Sequence, residues 1–165
     1  MSGSRSSPLN NHAHCCQLPG STYSDNSCRV RFPRNQSWVL LSGTCYQKAH
    51  RFTGRLADVM AAGNPVGGTL HVASVELKSG GFAVPEVRDQ LQNAADVLDQ
   101  DLPRGNVDAK FVAVLMHAGV RRSNLVRKEL ADGRNRVRFR GRAFRIGLVR
   151  CGSELGVQTW TPLAS

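Results

Sequence analysis

Apolar residues in this chain fall into short runs separated by glycine- and proline-rich breaks, and one longer stretch carries helical spacing. Trp38-Val39-Leu40-Leu41 predicts a strand, bounded by Asn35-Gln36-Ser37 before it and Ser42-Gly43 after. Leu56 to Met60 predicts a second, ended by Gly63-Asn64-Pro65. Thr69 to Leu77 predicts a third, entered through Gly67-Gly68 and closed by Ser79-Gly80-Gly81. The link between these two has the length of a hairpin connection, which favours antiparallel pairing and brings Asp58 near Glu76. Behind Pro85-Glu86, Val87, Leu91, Ala94, Ala95 and Leu98 recur as one face of a helix, with Asp89, Asp96 and Asp99 on the solvated side.

Pro103-Arg104-Gly105-Asn106 ends that helix. Phe111 to Met116 follows as a strongly apolar fourth strand, expected at the centre of a sheet. Ser123 is placed to cap a short helix from Asn124 to Ala131, stopped by Asp132-Gly133. Arg136 to Arg140 and Phe144 to Val149 flank Gly141-Arg142 and predict a strand pair with one basic face. Residues 1–35, rich in Ser, Asn, Pro and Gly, predict a flexible leader or an irregular extension packed on the domain. The expected architecture is a single α/β domain over residues 36–165, with a mixed central β-sheet flanked by helices and an arginine-rich part at 121–150.

Length and charge narrow the picture. At 165 residues the chain holds one domain with a real core. Its 22 basic and 12 acidic residues give a net charge of +10, and such a field draws polyanions, nucleic acid before anionic membrane. Between positions 121 and 150 stand ten Arg and one Lys against two acids. Arg121, Arg122, Arg136, Arg138, Arg140 and Arg142 are therefore read as a surface that tracks phosphates, with contact to the nucleic-acid backbone rather than to bases. Neither a signal-peptide pattern nor an apolar run of spanning length occurs, so the expectation is a cytoplasmic protein without a membrane partner.

The candidate chemistry lies at the end of the third strand. Glu76 and Lys78 share one strand face, and Asp58 on the neighbouring strand adds a second carboxylate. Phosphodiester hydrolysis needs an activated water, stabilisation of charge on the phosphate and help for the leaving oxygen, much of which Mg²⁺ supplies. Asp58, Glu76 and the carbonyl of Leu77 are candidate oxygen ligands for Mg²⁺ (Mn²⁺ can substitute), and Lys78 is placed to polarise the water and offset charge.

Asp58, then Glu76-Leu77-Lys78, then a helix bearing Gln90, resembles the PD-(D/E)XK, or restriction-endonuclease-like, nuclease superfamily. The resemblance covers Trp38 to Met116 and implies a strand, strand, strand, helix, strand core. It further implies a metal-dependent nuclease acting on DNA, or on RNA, with Asp58, Glu76 and Lys78 as the metal-binding and catalytic set and Gln90 reaching back to the site. Many nucleases of this core dimerise, so a homodimer is also implied. Ala57 stands where proline is common in the superfamily. No first core helix with a glutamate is recognisable ahead of Trp38, where Asp25 is the one acid of the leader.

Two other readings compete. A nucleic-acid-binding module with an inactive version of the same core needs the arginines and not the acids. A zinc-stabilised adaptor would draw on His12, His14, Cys15, Cys16, Cys28 and Cys45, although no standard ligand spacing is met. The five cysteines are odd in number and not in CxxC pairs, so no disulfide framework is expected. His50, His71 and His117 are single histidines, read as packed or exposed rather than catalytic.

Overall fold

The computed structural model describes residues 16–34, 38–63, 69–102, 109–119 and 123–156. Five strands form a mixed sheet in the order β3 (Trp38–Ser42), β4 (Val59–Gly63), β5 (Leu70–Lys78), β6 (Ala109–His117) and β9 (Ile146–Arg150). Strand β4 is antiparallel to both β3 and β5, while β5, β6 and β9 run parallel to one another. Helix α2 (Val84–Asp101) makes the crossover from β5 to β6, as a parallel pair demands. It begins with Pro85 in the first turn and buries Val84, Val87, Leu91, Ala94, Ala95 and Leu98, the spacing of an amphipathic helix laid on a sheet.

Both faces of the sheet are covered. On one, α1 (Gly43–Ala49) and α2 pack with Leu41, Met60, Val72, Phe111, Ala113 and Leu115. Tyr46 Oη donates to Asp101 Oδ2 at 2.8 Å and ties the two helices. The hairpin of β7 (Val137–Phe139) and β8 (Arg142–Phe144) joins this layer, where Phe111 stacks on Phe139 with ring centroids 4.6 Å apart. On the other face, the hairpin of β1 (Thr22–Asp25) and β2 (Cys28–Arg31) lays Cys28, Val30 and Phe32 over Leu40, Val75, Leu77 and Met116. Helix α3 (Ser123–Ala131) contributes the buried Leu130.

Several expectations are corrected. The second strand starts at Val59 rather than Leu56, because the backbone just before it bonds to helices instead of the sheet. Ala57 N–H donates to the Gln90 carbonyl of α2, and the Asp58 carbonyl accepts from Gly43 N–H of α1. Helix α1 has no counterpart in the sequence reading: it is seven residues long and opens on glycine, and it is held by Ser42 Oγ accepting from Cys45 N–H. Strand β5, not β6, is the middle of the sheet. The final apolar run divides at Arg145, so Phe144 closes the β7–β8 hairpin and Ile146 opens a strand beside β6.

Residues 16–34 of the expected irregular leader carry the β1–β2 hairpin, and the cysteines explain its placement. Cys16 pairs with Cys45 and Cys28 with Cys151, against the expectation of free thiols. Partners 29 and 123 residues apart leave no local spacing for a sequence to display. These bonds remove Cys16, Cys28 and Cys45 as zinc ligands, while His12, His14 and Cys15 lie outside the described residues. Among the described residues no helix is long and apolar enough to cross a membrane.

Candidate functional site

The carboxyl ends of β5, β6 and β9 open at one edge of the sheet, the position at which α/β sheets commonly take ligands. Alternation puts Glu76 and Lys78 on the α2 side with Leu70 and Val72, while Val75 and Leu77 enter the opposite core. Glu76 is 1% exposed, more deeply buried than Leu77, because α2 covers its face. The register sets Lys78 beside His117, and His117 beside Arg150, so three basic residues form a row at the strand ends.

Asp58 reaches this edge from the segment entering β4. The last backbone pair of the β4–β5 ladder is Val59 with Val75, which makes Asp58 and Glu76 the next opposed residues. There the side chains continue the pairing. Asp58 N–H donates to Glu76 Oε2 at 3.0 Å, and Leu77 N–H donates to Asp58 Oδ2 at 2.8 Å. Lys78 Nζ lies 2.6 Å from Glu76 Oε1, with its side chain 22% exposed. Gly43 is required behind this arrangement, since a Cβ there would lie 1.8 Å from the Ala57 carbonyl oxygen.

Burial dominates the electrostatics. The Glu76 carboxyl is pushed up to about 7, first by desolvation and then by the neighbouring Asp58 charge, against the pull of Lys78. Asp58 is also raised, by burial first, while the Leu77 N–H and Lys78 work the other way. Asp25, on the hairpin over the far face, adds negative potential at Asp58, and Tyr23 is raised by burial and then by Asp58, Asp25 and Glu76. The leader therefore supplies an acid near the site, as its position ahead of Trp38 allowed.

Gln90 sits on the sheet-facing side of α2, 6% exposed, and its backbone carbonyl holds Ala57 next to Asp58. Its buried Oε1 has no hydrogen-bond partner. That orphaned oxygen and the two carboxylates bear on whether a cation fits. Mg²⁺ is commonly held by one or two carboxylates and keeps several waters. Asp58, Glu76 and the Leu77 carbonyl are the oxygens that could hold it, although Glu76 Oε1, Glu76 Oε2 and Asp58 Oδ2 already accept from Lys78, Asp58 N–H and Leu77 N–H. Among the described residues no three His, Cys, Asp or Glu converge as a metal cluster.

The basic residues divide. Arg136 and Arg138 are exposed beside α2, and Arg138 alternates with the buried Val137 and Phe139. Arg140 does not continue that face: it occupies the turn at φ 48°, bonds Asp99 at 3.2 Å and lies over the Phe139 ring. Arg142 is exposed on β8, and Arg121 and Arg122 lie outside the described residues. His117, a single histidine at the end of the fourth strand, stands beside Lys78 through parallel pairing. Two neighbours have no signal in the sequence: Arg150 joins the row only through the pairing of β6 with β9, and Arg88 meets Arg136 and Arg138 across a groove.

No protein-family model, curated protein or solved structure matches this chain.

Proposed function

We propose that the protein hydrolyses phosphodiester bonds of nucleic acid, DNA in the first instance, at the Asp58, Glu76 and Lys78 site with a divalent cation. The observation that supports this reading is the meeting of a buried and a half-buried carboxylate, both with raised proton affinity, and one partly exposed lysine where the segment entering β4 meets the carboxyl end of β5. The strands β3, β4 and β5 followed by α2 and β6 are in the order that the resemblance to the PD-(D/E)XK superfamily implies, with α1 as an additional helix between β3 and β4. Gln90 falls on the helix after the strand that carries Glu76 and Lys78.

A bound Mg²⁺ would polarise the phosphate and lower the pKa of its water. The protein's own part is positional and electrostatic. Asp58 and Glu76 fix oxygens whose places are set by the sheet, so little reorganises on binding. Lys78 hydrogen-bonds Glu76 and keeps part of its side chain exposed, so its ammonium would be available to a phosphate oxygen and would offset developing charge. Arg150, two strands over in the same register row as Lys78, extends the positive charge along the strand ends, where a polyanion can align.

One observation favours a second reading, a nucleic-acid-binding module with an inert core. Both carboxylates accept backbone N–H groups, so the pair also acts as a structural clasp. The two disulfides bear on location: they fit an oxidising compartment better than the cytoplasm expected from the sequence.

The deciding test incubates duplex DNA, single-stranded DNA and RNA with the protein in Mg²⁺, Mn²⁺ or EDTA, beside Asp58→Asn and Lys78→Met variants. Metal-dependent cleavage abolished in both variants supports hydrolysis. Binding with no cleavage of any form transfers the case to the inert module.

A further inference from the structure

We infer that the groove between α2 and the β7–β8 hairpin is a seat for the terminal phosphate of a nucleic-acid strand. The groove has a volume of about 470 Å³ and is lined by Arg88, Gln92, Gly133, Arg134, Arg136, Arg138 and Ala143. Four guanidinium groups on one concavity repel one another, and an anion between them relieves this.

The walls are built rather than incidental. Gln92 grips the β7 backbone from both sides: its Nε2 donates to the Arg138 carbonyl at 2.9 Å and its Oε1 accepts from Arg138 N–H at 2.7 Å. Asp132 accepts from Arg134 N–H at 2.9 Å and from the Arg134 guanidinium at 2.8 Å, which fixes that side chain. Gly133 has open space where a Cβ would stand, so the cavity is not filled from below.

The charge count selects the ligand. Asp89 pairs with Arg88 and Asp132 with Arg134, while Asp96 touches the lining only through Gln92. Arg136 and Arg138 have no carboxylate partner among the described residues. Two uncompensated guanidinium groups match a phosphomonoester, which carries close to two charges and three acceptor oxygens at neutral pH, better than an internal diester with one charge. The groove is therefore a site for strand ends, separate from the carboxylate pair, since Arg88 and Gln92 face away from Gln90 on α2.

This inference rests on the nucleic-acid part of the proposed function and not on its chemistry. The test measures anisotropy of internally labelled single strands of one sequence bearing a 5′-phosphate, a 3′-phosphate or hydroxyls at both ends, in EDTA. A phosphate at one end is expected to tighten binding about tenfold, the worth of one charge-assisted hydrogen bond. The advantage is expected to vanish in the Arg136→Gln/Arg138→Gln variant, whose unchanged melting temperature verifies folding. Equal affinity for all three strands, or an advantage that survives in the variant, overturns the assignment. Inorganic phosphate that abolishes the advantage at strand-equivalent concentration overturns it as well, in favour of a free-phosphate site. End preference without cleavage of any substrate removes only the hydrolytic reading, and cleavage without end preference removes only this one.

Discussion

Asp58 and Glu76 stand opposite one another at the first register beyond the β4–β5 ladder, and the Asp58 N–H donates to the Glu76 carboxylate at 3.0 Å. A backbone carbonyl would ordinarily accept at such a place. Here the acceptor is a side chain, and Asp58 reciprocates by accepting from Leu77 N–H. The carboxylate oxygens are thereby tied to the backbone of the central sheet, as a preorganised site for charge requires. The same bonds make the site structurally necessary.

Glu76→Ala should accordingly lower stability even if the protein has no catalytic activity. It leaves Lys78 Nζ and Asp58 N–H without their acceptor at a position that is nearly closed to water. The predicted loss is about 2–4 kcal/mol, from one orphaned donor and one unpaired cation. Glu76→Gln keeps an acceptor of similar shape and, like the protonated acid that the fold favours, carries no buried charge, so it should lose less than the alanine variant. Urea unfolding of the three proteins reads the difference, and an alanine variant within experimental error of the parent contradicts the clasp.

The raised proton affinity of Glu76 predicts a pH dependence opposite to that of a paired surface carboxylate. Its folded pKa of about 7 lies above its ordinary value of 4.5, and Asp58 is shifted in the same direction. Between those values the folded state binds more protons than the unfolded one, so stability falls as pH rises through the window. The contribution is complete below about 4.5 and lost above about 7. Melting temperatures from pH 4.5 to 8 should decline more steeply for the parent than for Glu76→Gln. Parallel profiles count against a shifted Glu76.

Gly43→Ala tests how the segment before β4 is held. The added methyl would lie 1.8 Å from the Ala57 carbonyl oxygen, a backbone atom with no rotamer to change. Either α1 or residues 57–58 must move, and the Gly43 N–H bond to the Asp58 carbonyl goes with them. A loss of about 2–3 kcal/mol is expected, of the size seen for overpacking in a close-packed interior. In an active nuclease the same variant should lose turnover, because Asp58 shifts against Glu76. A variant with unchanged stability disproves the contact.

How much of this was legible depends on the length of each pattern. Strand β5, helix α2 and strand β6 have 9, 18 and 9 residues, long enough for their periodicity to outweigh local noise. The hairpin inference then placed Asp58 near Glu76, since pairing Val59 with Val75 follows from the link between the strands. Strands β1 and β2 have four residues each, with polar side chains outward, and read as a polar leader. The depth of Glu76 and the neighbourhood of His117 and Arg150 depend on which face α2 covers and which strand follows β6. Those are tertiary outcomes without a local signature. Arg140 was misread because its backbone turns at φ 48°, where alternation no longer applies.

The disulfides supply the last prediction. Cys28–Cys151 closes a span of 123 residues and fastens the β1–β2 hairpin to the end of β9, while Cys16–Cys45 closes 29 and fastens the preceding segment to α1. Chain entropy assigns the longer closure the larger effect, by about 1 kcal/mol within a range of about 2–4 kcal/mol for each bond. Cys28→Ser/Cys151→Ser should therefore melt earlier than Cys16→Ser/Cys45→Ser, and dithiothreitol should bring the parent below both. The hairpin also carries Asp25, whose charge raises the proton affinity of Asp58, so its release should lower that affinity. Carboxyl chemical shifts of Asp58 followed across pH in the oxidised and reduced protein read that change. An identical titration in both forms shows that the hairpin stays in place without its disulfide.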